Sequence, residues 1–150
     1  MRIERIGYKF VEYIPDQLND GVIYISEPYN TAVHKCCCGC GEEVVTPLNP
    51  TDWTFKIIDG HVSLYPSIGN WSFTCKSHYW IKNGQVKWSY QMSDEEIQLG
   101  RNRDKRLKER YYNQINQEKE KATTSSRTRS QDGLGRINQA INKLKAWMGF

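Results

Sequence analysis

The stretch His34-Lys35-Cys36-Cys37-Cys38-Gly39-Cys40-Gly41 holds four of the chain's five cysteines, and Cys75-Lys76-Ser77-His78 holds the fifth. Together they read as two halves of one metal site, C-x-C-G paired with C-x-x-H. Tetrahedral zinc takes thiolate and imidazole ligands at roughly 2.0–2.3 Å, and short loops with closely spaced Cys or Cys/His pairs deliver them. Gly39 and Gly41 let the backbone fold tightly around an ion. Buried free cysteines seldom come three in a row, and an odd count of five does not close a disulfide framework. A Zn2+ ion clamping the two clusters is the expectation.

The flanks of the first cluster are extended. Residues 31–36 enter it as a short strand and residues 42–46 leave it as another, ended by Pro47. The cluster is then the tip of a hairpin, a zinc knuckle. Upstream, residues 8–13 and 22–26 read as strands, the second launched by Asp20-Gly21. Downstream, Asp59-Gly60 and Asn83-Gly84 each separate two apolar-rich runs, and both dipeptides supply the positive φ of a type I′ turn. Residues 66–71 between these hairpins read as an exposed turn before a strand at 73–75. The fold class is α+β: a small antiparallel zinc-stabilised β-sheet or barrel over residues 1–92, followed by one or two C-terminal helices. Its core is thin enough that bound metal should contribute to folding.

At Ser93 the period changes. Ser93-Asp94-Glu95-Glu96 is a capping box with acid in the first turn, so a helix starts there. It is expected over residues 93–121, mostly solvated, because its apolar face is sparse: Ile97, Leu107, Tyr111 and Ile115. A polar linker is expected at 122–133. Residues 134–150 then read as an amphipathic helix, with Ile137, Ile141, Leu144 and Met148 at helical spacing and Ala140 and Trp147 widening the stripe. Docking, or association with a partner or a second copy through residues 134–148, suits that stripe better than a membrane surface.

The chain's charge narrows its partners. Residues 1–93 carry eight Lys/Arg against nine Asp/Glu, and residues 94–150 carry thirteen against eight, so the net +4 comes from the C-terminal part. The β region has no nucleic-acid footprint. No apolar run approaches the roughly 18 residues of a membrane span, and no signal-peptide core follows the first residues. A cytoplasmic, reducing setting is expected, in keeping with thiols held for metal.

Seven residues compete for four zinc positions: His34, Cys36, Cys37, Cys38, Cys40, Cys75 and His78. On a strand His34, Cys36 and Cys38 share a face and Cys37 takes the other, although a C-x-x-C-G reading keeps Cys37 with Cys40. The favoured set is Cys38, Cys40, Cys75 and His78, with Cys36 as replacement; a set of Cys36, Cys38, Cys40 and Cys75 would release His78. The surplus permits catalysis. A neutral His34 beside the metal could act as general base, with Ser67 or Ser77 as nucleophile and backbone N–H groups at Ile68-Gly69 for an oxyanion. Alternatively, Glu42 or Glu43 could take a proton from zinc-bound water. Spacing alone favours a non-enzymatic zinc-binding adaptor over either scheme.

Several runs carry a family resemblance: residues 12–15, 18–24, His34 to Gly41, Thr46-Pro47-Leu48, residues 63–71, and Cys75-Lys76-Ser77-His78-Tyr79-Trp80. Over roughly residues 8–112 the chain resembles a bacterial family long catalogued as a domain of unknown function. Its members occur beside ubiquitin-like conjugation genes, with activating-enzyme-like and conjugating-enzyme-like proteins, and include peptidases that trim or release the ubiquitin-like protein. The resemblance implies a zinc-stabilised β domain with deubiquitinase-like hydrolytic activity, and His34, the cluster cysteines, Ser67, Cys75 and His78 fall on the family's motifs. It leaves open which of them attack and which bind metal.

Overall fold

Left-handed backbone at both central residues of two hairpin turns sets the pairing in half of the protein. In the computed structural model, which describes the backbone of residues 1–147 and the side chains of residues 1–124, Asp59 and Gly60 stand at φ 49° and 73°, and Asn83 and Gly84 at 49° and 69°. A type I′ turn requires this pair of conformations. The turns join β5 (Thr54–Ile58) to β6 (His61–Gly69) and β7 (His78–Lys82) to β8 (Gln85–Trp88), giving an antiparallel sheet in the order β5-β6-β7-β8. The other sheet runs β1 (Gly7–Phe10), β2 (Val22–Ser26), β3 (Thr31–Lys35), β4 (Glu43–Pro47). Here β1 lies parallel to β2, while the other neighbours are antiparallel.

The fold is α+β, but the strands divide between two sheets rather than forming one. Both sheets close over one core that includes Ile23, Ile25 and Val44 from the first and Leu64, Tyr79 and Ile81 from the second. The N-terminal residues tie them together. Val86 N–H donates to Glu4 carbonyl (2.8 Å) and Ile6 N–H to Gly84 carbonyl (2.9 Å) before the chain crosses to pair with β2. On the far side a single bridge, Leu48↔Trp53, links the end of β4 to the start of β5.

Two sequence expectations are corrected between residues 66 and 77. Residues 66–69 of the exposed turn expected at 66–71 are the second half of β6, with Ile68 buried at 1% exposure, and Asn70 just beyond the strand is buried at 7%. The strand expected at 73–75 is a turn-rich loop. A register shift between Leu64 and Ile68 explains the first: a bulge absorbs Pro66, which has no N–H for a ladder, and pairing resumes beyond it.

The helix α1 spans Asp94–Trp147. Its capping box is made: Glu96 N–H donates to Ser93 Oγ (3.2 Å) and Ser93 N–H to the Glu96 carboxylate (2.8 Å). A first compact unit, Met1–Asn102, contains both sheets and the first turns of α1, and a second is Arg103–Phe150. In the first unit Ile97 is buried; in the second Leu107 is exposed. The expected end near residue 121 and the linker at 122–133 are corrected, since the helical backbone runs through both. Thr123 and Thr124 return their hydroxyls to the carbonyls of Lys119 and Glu120 (both 2.8 Å), which seats polar β-branched residues in a helix. The apolar stripe expected from Ile137 to Met148 lies outside the described side chains.

Candidate functional site: a four-thiol cluster beside a serine–histidine pair

The backbone brings the cysteines together at the ends of strands. Cys36 follows the last residue of β3, and the turn after it closes with Gly39 and Gly41 at φ 84° and 88° and with Gly39 N–H on Cys36 carbonyl (3.0 Å). Cys75 arrives from the 70–77 loop. The Sγ atoms of Cys36, Cys38, Cys40 and Cys75 all lie within 4.8 Å of one another. Cys36–Cys38 measures 3.4 Å, Cys36–Cys75 3.9 Å and Cys40–Cys75 3.8 Å. A sulfur–sulfur bond is about 2.05 Å, so these are not disulfides. Thiolates at about 2.3 Å from a tetrahedral ion sit ~3.8 Å apart. The donor set and its spacing fit a metal ion.

Neighbouring groups tune the thiols. Burial pushes the Cys38 thiol up. At Cys75 burial also pushes upward, but the Ser77 hydroxyl and backbone, with Cys38 and Cys40, outweigh it and bring the thiol down to about 7. Cys36 is the hub: Ser77 Oγ lies 3.1 Å and Asn70 Nδ2 3.5 Å from its sulfur, while Asn70 Nδ2 also donates to Ser77 Oγ (2.9 Å). Once Cys36 is a thiolate it can only accept, so Asn70 and Ser77 both turn their hydrogens toward it.

His78, expected as a ligand, is not part of this four-thiol group. Its Nε2 lies 3.1 Å from Ser67 Oγ and its Nδ1 3.0 Å from the backbone carbonyl of Tyr90. A carbonyl can only accept, so Nδ1 carries the proton. In the neutral ring Nε2 then holds a lone pair into which the Ser67 hydroxyl can donate. Strand pairing fixes this geometry: Gly69 stands opposite His78 on β6–β7, and the bulge that precedes Ile68 carries Ser67. The Trp71 ring packs edge-on to the His78 ring, centroids 5.0 Å apart. It lies so close over Gly69 that a Cβ there would fall 2.5 Å from the indole.

A family model for the bacterial ubiquitination-like system serine protease (BubE) matches residues 10–89, 80 of the 150 residues. The chain belongs to this family. The family's match encloses Ser67, His78 and all four clustered thiols, and stops before Tyr90 and α1. No curated protein and no solved structure matches the chain. For a family of serine proteases, Ser67 held by an imidazole is the arrangement with the matching chemistry.

The remaining candidates are placed elsewhere. His34, expected as the base, is fully buried on β3, with Nε2 on the Tyr79 hydroxyl (2.9 Å) and Nδ1 without a partner among the described residues. The expected alternation holds for the thiols, since Cys36 and Cys38 join the cluster and Cys37 does not, but His34 is not part of that group. Ser77 serves Cys36 and Asn70. Glu42 is exposed and meets the cluster through its carbonyl, which accepts Cys36 N–H (2.8 Å). Cys37 is fully buried, its thiol raised to about 12 by burial. The sequence reading missed Asn70, which looked like a turn residue, and Tyr90, whose contribution is a carbonyl that no side-chain pattern reveals.

Burial holds His34 well below its ordinary value, at about 4. An unfolded histidine takes its proton near pH 6.5. Between these values the unfolded chain binds more protons, so stability is complete above pH 6.5 and falls as pH drops toward 4. His34 alone is expected to withdraw up to about 3 kcal/mol across that window. Urea midpoints at pH 7 and pH 4.5 check this: the drop between them should be smaller in His34→Gln than in the wild type.

Proposed function

We propose that the protein is a serine hydrolase that trims or releases a ubiquitin-like protein, acting as a peptidase or isopeptidase/esterase within a bacterial conjugation pathway. The observation that carries the reading is the Ser67–His78 hydrogen bond with the proton of His78 fixed on Nδ1 by Tyr90. Ser67 Oγ attacks the carbonyl of the scissile bond while its proton passes to His78 Nε2. The imidazolium then returns that proton to the leaving amine or alcohol as the acyl bond to Ser67 forms. Water, deprotonated by the same nitrogen, cleaves the acyl-enzyme and restores the hydroxyl. The Tyr90 carbonyl takes the orienting place that a carboxylate holds in a triad.

In this reading zinc is structural. Bound by Cys36, Cys38, Cys40 and Cys75, it would supply a closed cross-link between the knuckle and the 75–78 segment that leads into β7. Four thiolates fill a tetrahedral site, which argues against the scheme with Glu42 and metal-bound water. Thiolate ligation also suits a reducing compartment, the cytoplasm. The ubiquitin-like protein, with its activating-enzyme-like and conjugating-enzyme-like enzymes, would be the working partners. The adaptor reading keeps the closed metal site but gives the Ser67–His78 pair no task.

A fluorophosphonate probe tests the proposal, because it reacts with a serine only when its hydroxyl is activated. Mass spectrometry of the labelled protein is expected to find the adduct on Ser67, with competition by a ubiquitin-like protein carrying a C-terminal extension. A chain that resists the probe and leaves such a substrate intact would remove the proposal.

A further inference from the structure

β4 is the last strand of its sheet, so among the described residues one side of its backbone has no strand beside it. The ladder decides which groups face that side. Leu48 N–H donates to Asn30 carbonyl (2.7 Å) and Cys36 N–H to Glu42 carbonyl (2.8 Å), at the two ends of the β3–β4 pairing. Bonded and non-bonded pairs alternate along an antiparallel ladder. Ala32–Thr46 and His34–Val44 are therefore bonded pairs, and Val33–Val45 and Lys35–Glu43 are not. The amides and carbonyls of Glu43 and Val45 point away from β3, into the open side. Pro47 ends this edge: it has no N–H, and its carbonyl accepts Trp53 N–H (3.1 Å).

A second open edge belongs to the nucleophile's own strand. β5 pairs with β6 only as far as Thr54↔Tyr65. Beyond that point β6 keeps β7 on one side and, among the described residues, has no strand on the other, and Ser67 lies in this part. A groove of about 300 Å³ is walled by residues 43–46 of β4, by residues 68–73 and by Trp53. The Trp53 indole N–H is buried and has no acceptor among the described residues.

We infer that the polypeptide to be cut binds in this groove as an added β-strand, paired through its main chain to Glu43 and Val45. The inference rests on the serine-hydrolase reading and names the form in which that enzyme holds its substrate, an extended tail. Such a tail presents N–H and C=O groups in alternation, the pattern an unpaired edge needs. One wall begins at Ile68, the residue after Ser67, so the groove adjoins the strand that bears the nucleophile. A second copy of the chain pairing edge to edge would cover the same groups of β4, but it would give Ser67 nothing to cleave.

Val45→Pro deletes one outward N–H without removing a β3–β4 bond, since Val45 does not donate to β3. Val45→Thr keeps the N–H and serves as its reference. The probe is a peptide with the C-terminal sequence of the ubiquitin-like protein, capped as an aminomethylcoumarin amide, beside p-nitrophenyl acetate, which is too small to pair with an edge. The ratio of kcat/KM on the peptide to kcat/KM on the acetate is expected to fall ~10-fold or more in Val45→Pro against Val45→Thr. A second readout does not depend on either variant. Ser67→Ala saturated with the peptide should gain amide-exchange protection at Glu43 and Val45, and not at Val44 or Thr46.

Equal ratios with no added protection at those amides overturn strand addition, and leave the hydrolase reading standing if the wild type still cleaves the peptide. A dimer that Val45→Pro dissociates, with the ratio unchanged, also overturns it and assigns the edge to a second copy. A wild-type chain that neither cleaves nor takes a fluorophosphonate removes the hydrolase reading and this inference with it.

Discussion

Ser67→Ala is expected to lower kcat/KM on a ubiquitin-like substrate by at least ~10³-fold, and His78→Gln to do the same, with the metal content of both variants equal to that of the wild type. The double variant loses little more than either single one, because the two groups act as a unit: a hydroxyl without its base and a base without its hydroxyl are equally idle. The metal measurement carries as much weight as the kinetic one. Were His78 a ligand, its substitution would release the ion and lower activity through unfolding. With His78 bonded to Ser67 and to the Tyr90 carbonyl, activity and metal content separate. Retained cleavage by Ser67→Ala would remove the serine from the mechanism.

Removing the ion is the second large effect. Cys36 and Cys75 are 39 residues apart in the chain yet 3.9 Å apart in space, and Cys40 lies 3.8 Å from the same Cys75 sulfur, so an ion held by the four thiols would join two distant segments. Structural zinc sites contribute on the order of 10 kcal/mol of apparent binding energy to folding. That is comparable with the whole stability of a small domain, about 5–15 kcal/mol. Chelation, or Cys75→Ser, is therefore expected to lower Tm by ~20 °C or more, or to abolish the cooperative transition. Activity should follow, since Cys75 leads within three residues into His78. Thermal scans with and without chelator, beside metal analysis of the purified chain, measure this. An unfolding transition indifferent to chelator would exclude a structural ion.

The two clusters could be recognised in the sequence because thiol spacing is local chemistry: C-x-C-G turns and a lone returning cysteine are readable without knowing where the strands lie. The hairpins at Asp59-Gly60 and Asn83-Gly84 were legible for the same reason, their φ requirement being carried by two adjacent residues. The division of labour among the histidines was not. His34 and His78 each stand beside clustered cysteines in sequence, and only packing separates them. One is sealed between the sheets against Tyr79; the other faces Ser67 across β6–β7. The 66–71 segment was misread because Pro66 and Gly69 are turn residues by composition, whereas the bulge before Ile68 lets the strand absorb them.

By itself the sequence determined the α+β class, the metal-type clusters, the tight turns and the helix start at Ser93, all of which depend on residues within a few positions of one another. Only the tertiary structure decided that four thiols form one group, that His78 lies within hydrogen-bond reach of Ser67 and of the Tyr90 carbonyl, and that β4 and the end of β6 wall one groove. Those facts join residues from 11 to 39 positions apart, and contacts at that range are set by strand register and burial, which no local pattern encodes.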